Sequence, residues 1–357
     1  MNRGFWAGRR VFLTGHTGFK GAWLALWLSE MGAKVSGYAR DPSTDPSLCD
    51  ILSLPALLAA DHRADVLDLE RLAASMAGAS PQIVFHMAAQ ALVHEGYRDP
   101  VDTFATNVMG TLHVLEAARK VPGIQAIVVV TTDKCYENNE STRAYREEDR
   151  LGGADPYSAS KACAELVAAA CRSSFYAGQP GKAAVATARA GNVIGGGDWA
   201  RDRLMPDCVR AFAAGEPVVL RHPAAVRPWQ HVLEPLLGYL MLAEALAGAK
   251  GADFASGWNF GPEPAGEGTV LQVASLAAKA WGEAARIRPD PAASTFKESH
   301  ILRLDSTKAR QHLGWKPRWQ LERAVGETAR WYREWHRGGD MPAFTRAQIA
   351  AYAAGSG

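Results

Sequence analysis

Residues 11–32 read VFLTGHTGFKGAWLALWLSEMG, and their order decides the fold. The apolar run Val11-Phe12-Leu13 stops at Thr14-Gly15. Ala22 to Met31 then carries apolar residues at helical spacing up to Gly32, a residue suited to end a helix. A strand, a glycine turn and a helix are expected in that order. At the turn, Gly15-His16-Thr17-Gly18-Phe19-Lys20-Gly21 has the spacing GxxGxxG. Glycines there permit a tight turn and let a pyrophosphate approach the backbone, while the helix N-terminus offers free N–H groups and a partial positive charge. A glycine-rich connection with no ligand would share the spacing, but the strand before, the helix after and an acid about 20 residues on favour a dinucleotide. That acid, Asp41, stands beside Arg40. A carboxylate suits a ribose hydroxyl and an arginine suits a 2′-phosphate, so NAD and NADP both stay open, with NAD preferred. Asp65-Val66 is placed to hydrogen-bond and sandwich an adenine, or to serve as an ordinary loop or cap pair.

Outward from this unit the pattern repeats. Strands are expected at 34–38, 82–87, 127–132 and 185–188, and helices at 67–76, 110–120 and 158–176. Alternation of this kind predicts an α/β fold, a doubly wound parallel sheet of Rossmann type. After Gly191 the texture changes to Gly195-Gly196-Gly197, many prolines and most of the tryptophans, with helical patterns at 233–247 and 270–281. A smaller mixed α/β lobe is expected there. Residues 1–190 would form the dinucleotide-binding domain and 191–357 the substrate-binding lobe, with the chain crossing between them; the tail 355–357 is expected to fray.

Composition removes several classes. The 357 residues are 48% hydrophobic and 21% charged, and 39 Lys plus Arg against 37 Asp plus Glu leave a net charge of +2. Charge makes no case for nucleic acid or an anionic membrane. No apolar run approaches the roughly 18 residues of a membrane helix. Arg9-Arg10 is followed by only three apolar residues, which is not a secretory signal. Five cysteines with no CxxC pair suit a reducing compartment, and cytoplasmic residence is expected. No two histidines fall three to five residues apart, so no metal is inferred.

Tyr157-Ser158-Ala159-Ser160-Lys161 sets a phenol and an ammonium at i and i+4 on one helix face. A phenol with pKa near 10 is a poor base at neutral pH, but a neighbouring ammonium and an oxidised nicotinamide would both favour phenolate. An exposed pair on a solvated helix is the plain alternative, and the glycine loop upstream weighs against it. Thr131-Thr132-Asp133-Lys134 follows the apolar run 127–130, so these side chains should emerge at the carboxyl end of a parallel strand, where such sheets bind ligands. A solvated surface pair is the alternative there.

With the glycine loop, Tyr157, Lys161 and an upstream Thr132, the sequence resembles the extended short-chain dehydrogenase/reductase family over nearly its whole length. Within that family GHTGFKGAWL (15–24), FATNVMGTLHVLEAAR (104–119), TTDKCYEN (131–138), AGNVIGGGDW (190–199) and RPWQHVLEP (227–235) resemble the branch of 4,6-dehydratases that act on CDP-glucose. The resemblance implies NAD as cofactor, held by Gly15 to Gly21, Arg40, Asp65, Val66, Ala88, Ala89, Gln90, Thr106, Thr131, Tyr157 and Lys161. It implies a redox-neutral cycle. Tyr157 takes the C4 hydroxyl proton while a hydride leaves C4; a base removes the acidified C5 proton; Asp133 protonates the departing C6 hydroxyl; the hydride returns to C6. Related dTDP-glucose enzymes carry Asp-Glu where this chain has Asp133-Lys134, and Lys134 is the expected C5 base, directly or through water. Asp133 must be protonated as the leaving group departs, so its pKa should be raised by desolvation.

Gln90, Thr132, Asn192, Arg203, Arg227, Trp229 and His231 are the substrate residues the resemblance implies, with Trp199 a further candidate for the nucleotide pocket. Arginine offers a planar fork for phosphate, which a surface salt bridge would equally explain. Nothing in these residues reads cytosine over another base. Two rivals remain: a 4-epimerase or reductase on the same scaffold, which needs no acid and base at 133 and 134, and a dinucleotide sensor without catalysis. Family members pair through the helices that include the YxxxK segment, so a homodimer is expected, unless the apolar face of 158–176 is used within one chain.

Overall fold

The computed structural model describes residues 2–140, 143–179, 181–263, 266–282, 285–290 and 301–355. Ser356 and Gly357, in the tail expected to fray, lie outside them. Seven parallel strands form the main sheet: β1 (Arg10–Thr14), β2 (Lys34–Ala39), β3 (Ala60–Arg63), β4 (Ile83–His86), β5 (Ala126–Val130), β6 (Ala184–Arg189) and β7 (Gly257–Asn259). Their order is β7-β6-β5-β4-β1-β2-β3, so the direction of winding reverses between β1 and β4. A crevice opens at the carboxyl ends there.

Helices cover both faces. On one lie α1 (Phe19–Glu30) and α5 (Leu233–Leu246); on the other lie α2 (Leu69–Ala79), α3 (Gly110–Lys120) and α4 (Pro156–Cys171). With both faces buried, the strands read as continuous apolar runs. Phe85, Val128 and Val130 point into the α1–α5 layer, and Val84, Ile127 and Val129 into the α2–α4 layer. Full burial of each is worth about 1.5–3 kcal/mol. The middle of helix α1, residues 21–28, is apolar all round because it is enclosed: Trp27 meets Tyr352 of α8 (Met341–Ala353) edge-on, with ring centroids 5.8 Å apart.

A third cluster of apolar residues joins helix Leu204–Ala213, α6 (Val270–Trp281) and α7 (Leu321–His336). Thr269 and Gln272 start α6 with a reciprocal capping box. Two expectations are corrected. The strand at 82–87 is the fourth, because β3, an edge strand reading Ala-Asp-His-Arg, precedes it without any apolar alternation. The helix at 233–247 packs on β5 and belongs to the main sheet, as does β7, so the chain returns to the first domain before building the rest of the lobe. The described chain contains no helix long and apolar enough to cross a membrane.

Candidate active site

A cavity of about 730 Å3 runs along the strand ends, between the glycine loop and the second lobe. Gly15 has φ +77°, and a Cβ there would lie 2.6 Å from the Ala88 nitrogen. At Gly21 a Cβ would lie 2.1 Å from the Gly15 carbonyl oxygen, so both positions exclude side chains. Gly18 caps α1 with no side-chain hydrogen bond, and the first turn holds no acid. These are the features an anion needs at a helix N-terminus. Thr17, Phe19 and Lys20 also line the cavity, as do Ala88, Ala89, Thr106 and Thr131.

At the far end Asp65 and Val66 line the cavity. The Leu67 N–H donates to Asp65 at 2.9 Å. Arg40 lies 3.6 Å from Asp65 and 4.0 Å from Asp102, so two carboxylates already face its guanidinium. Two candidates from the first half of the sequence do not reach the cavity. His16 is buried below the loop, 2.7 Å from Asp61, with its ring over Gly37, where a Cβ would come within 2.6 Å. Burial lowers its pKa against the opposing pull of Asp61. Gln90 spends its side chain locally: its amide donates to Leu92 O at 3.0 Å and Thr103 at 2.8 Å, and its carbonyl accepts from Leu92 N.

The reacting end is built by the turn after β5 and the start of α4. Asp155 caps α4 by accepting from Ser158 N at 2.9 Å, Pro156 occupies the first helical position, and Tyr157 and Lys161 then face the cavity one turn apart. Burial raises the Tyr157 phenol to about 12, with the Thr132 hydroxyl pulling it back; the same burial lowers Lys161 to about 8. Lys161 Nζ donates to Val130 O at 3.2 Å, so a backbone carbonyl orients the ammonium. The expectation that this ammonium favours phenolate meets a larger opposing effect in desolvation.

Thr132 caps the turn Asp133–Cys135 through Lys134 N at 3.3 Å, and its hydroxyl donates to Asp133 at 3.0 Å. Asp133 is 1% exposed, and desolvation raises its pKa despite Lys134, Thr132 and Arg227. Its second oxygen, Oδ2, has no partner among the described residues. Lys134 is half-buried and lines the cavity.

From the second lobe Asn192, Arg203, Arg227 and Trp229 reach the cavity. Asn192 holds φ +45°, a conformation that costs a non-glycine residue and is found at functional sites. Arg203 is braced by Asp198 at 2.8 Å. Trp229 donates its Nε1 to Gly268 O at 3.0 Å, which fixes its ring. His231 and Trp199 are elsewhere. His231 is buried between Trp23 and Trp319, its pKa pushed to about 3 by desolvation. Trp199 packs on Trp335 at 4.5 Å between centroids. Alternation alone could not tell these core rings from pocket rings.

Three supporting residues escaped the sequence reading. A Cβ on Gly191 would fall 1.8 Å from Asp133 Oδ2, so this glycine makes the room in which the acid stands. Asn107 sits in a widened turn, Ala105–Met109, that joins helix Pro100–Phe104 to α3. Its amide donates to Ser160 at 2.8 Å and Gln90 O at 3.0 Å, tying α4 to the loop after β4. Glu165, one turn beyond Lys161, accepts from Thr131, Thr187 at 2.7 Å and Arg189 at 2.7 Å. Burial raises its pKa, but these partners more than offset that and leave it lowered. The spacing Tyr157, Lys161, Glu165 at successive helical turns was the available signal.

The family model described as GDP-mannose 4,6 dehydratase matches residues 12–328. The chain is 48% identical over 357 aligned residues to a CDP-glucose 4,6-dehydratase of Salmonella typhimurium, covering 99% of this chain and 98% of that one. In fold it is similar to dTDP-glucose 4,6-dehydratase from Bacillus anthracis, solved in complex with NAD, with a TM-score of 0.76 at 22% identity over 93% of this chain and 99% of that one. A UDP-glucose 4-epimerase from Stenotrophomonas maltophila, solved with bound NAD, has a TM-score of 0.80 at 22% identity, with 93% and 100% covered.

Proposed function

Because the chain belongs to the GDP-mannose 4,6 dehydratase family, we propose a residue-level account of the reaction that its nearly full-length 48% identity to a CDP-glucose 4,6-dehydratase assigns to it. The protein converts CDP-glucose to CDP-4-keto-6-deoxyglucose with NAD as cofactor. The cavity fits that cofactor: Gly15 and Gly21 exclude side chains where a pyrophosphate must approach, and the Asp65 and Asp102 carboxylates beside Arg40 disfavour a 2′-phosphate. When bound, NAD supplies a reversible hydride acceptor, cationic when oxidised.

Tyr157 takes the proton of the C4 hydroxyl, with Thr132 orienting the phenol and Lys161 holding positive charge one turn below. Asp133, kept protonated by desolvation, gives its proton to the departing C6 hydroxyl. Lys134, acting as the neutral amine or through a water, takes the C5 proton that the C4 ketone acidifies. Asn192, Arg203, Arg227 and Trp229 hold the nucleotide diphosphate and sugar, Arg227 as the fork for phosphate. The observation that carries this reading over a 4-epimerase is Asp133, a desolvated acid with an unpartnered oxygen at the strand end, for which epimerisation has no use. Lys134→Met should retain C4 oxidation while dehydration falls by about 10²–10⁴-fold. The check is exchange of the C5 hydrogen with heavy water; full exchange in the variant would remove Lys134 from the role.

The proposed assembly is a homodimer. Val101, Phe104, Met109, Leu166 and Phe175 are exposed on the helices 100–120 and 156–176, which pack against each other. A twofold pairing of these helices would cover them as a four-helix contact. Sedimentation should give a species of twice the chain mass, reduced to a monomer by Leu166→Glu with Phe175→Glu. The buried free thiols of Cys49, Cys135, Cys171 and Cys208 suit a reducing compartment, and the proposed location is the cytoplasm.

A further inference from the structure

Lys20 lies on the first turn of α1, yet its stem does not run out to solvent as lysines on helices usually do. It lines the cavity, its Nζ donates to the Tyr239 hydroxyl on α5 at 2.9 Å, and it sits 5.1 Å from that ring's centroid. Tyr239 is itself fully buried. No carboxylate forms an ion pair with Lys20 among the described residues. The charges that act on it are Lys161 from α4, Arg203 from the second lobe and Asp133 from the turn after β5, all at the Tyr157 end of the cavity. Burial first, then repulsion by Lys161 and Arg203, lowers its pKa to about 7 against the pull of Asp133, so the ammonium form prevails on the acid side of neutrality. Two lysines, 20 and 161, therefore converge on one end of the cleft from opposite layers of the sheet.

The proposed function sets Tyr157 against the sugar C4 that gives up its hydride, so the hydride-accepting nicotinamide belongs at that end, and the inference rests on that placement. The oxidised ring is a cation and the reduced ring is neutral, while the pyrophosphate is common to both forms. An ammonium anchored near the ring penalises only the oxidised form. We propose that Lys20 biases the site toward reduced coenzyme, stabilising the state in which the electron pair from C4 is held while the sugar loses water. Tyr239 is its positioning residue, holding the ammonium at the cavity floor.

The test is the ratio of dissociation constants, NAD over NADH, measured by calorimetry on wild type, Lys20→Met and Lys20→Gln, on the acid side of neutrality. Both variants remove the charge, and either suffices if the other fails to fold. The ratio should fall roughly fivefold or more, because the oxidised form gains relative to the reduced one. A smaller fall, or a rise, overturns the role of Lys20. Failure of the wild type to bind either form would instead overturn the dinucleotide reading beneath it.

Discussion

Asp133→Asn is expected to stop the reaction halfway, with C4 oxidised and C6 still hydroxylated. The substitution keeps the shape of the side chain and an oxygen for the Thr132 hydroxyl, which donates to Asp133 at 3.0 Å. What it removes is the transferable proton. Without general acid catalysis the loss of C6 hydroxide should slow by about 10²–10⁴-fold. Absorbance of reduced coenzyme should rise on mixing with substrate and persist, where the wild type returns to baseline. The pH profile carries a second signature. The pKa of Asp133 is raised, chiefly by desolvation, so the protonated acid survives into less acidic solution than for a free carboxyl and is lost as pH climbs through that raised value. Wild-type dehydration should fall off on that alkaline side, and the variant should lack the limb. Unchanged dehydration by Asp133→Asn would remove the residue from the mechanism.

Tyr157→Phe is expected to act earlier and leave no partial reaction. The ring stays in its place at the head of α4, but the oxygen that receives the C4 proton is gone. Oxidation at C4 should drop by at least about 10²–10⁴-fold, the usual range for a positioned base. No transient absorbance of reduced coenzyme should form, which separates this variant from Asp133→Asn. Burial holds the free-enzyme phenol near 12, so the rate of the wild-type first step should increase with pH until that proton is lost or the fold gives way. A full transient in Tyr157→Phe would contradict the assignment.

The layout of the site was largely legible because its parts sit where local patterns change. Gly15 to Gly21 marks the junction of a strand and a helix, Thr132 to Lys134 the end of an apolar strand, and Tyr157 with Lys161 one face of a capped helix. Each signal is short-range, and each of these segments reaches the cavity. His16 shows where short-range reading stops: a polar residue inside a glycine loop looked like a cofactor contact, but its ring is buried over Gly37 and engages Asp61, 45 residues away. His231 fails for the same reason, since Trp23 and Trp319 enclose it from distant parts of the chain. Gly191 was invisible because its role is to leave space for Asp133, and a missing Cβ has no periodicity. The polar edge strand β3 and the three-residue β7 were missed because neither has enough apolar residues to show alternation.

One isotope experiment bears most directly on the whole account. CDP-glucose carrying deuterium at C4 should yield a 4-keto-6-deoxy product with the label in its C6 methyl group, in a single turnover and with unlabelled NADH present as a trap. Label recovered in water or in the added coenzyme, with none on the methyl group, would contradict an internal return of the hydride within one closed site.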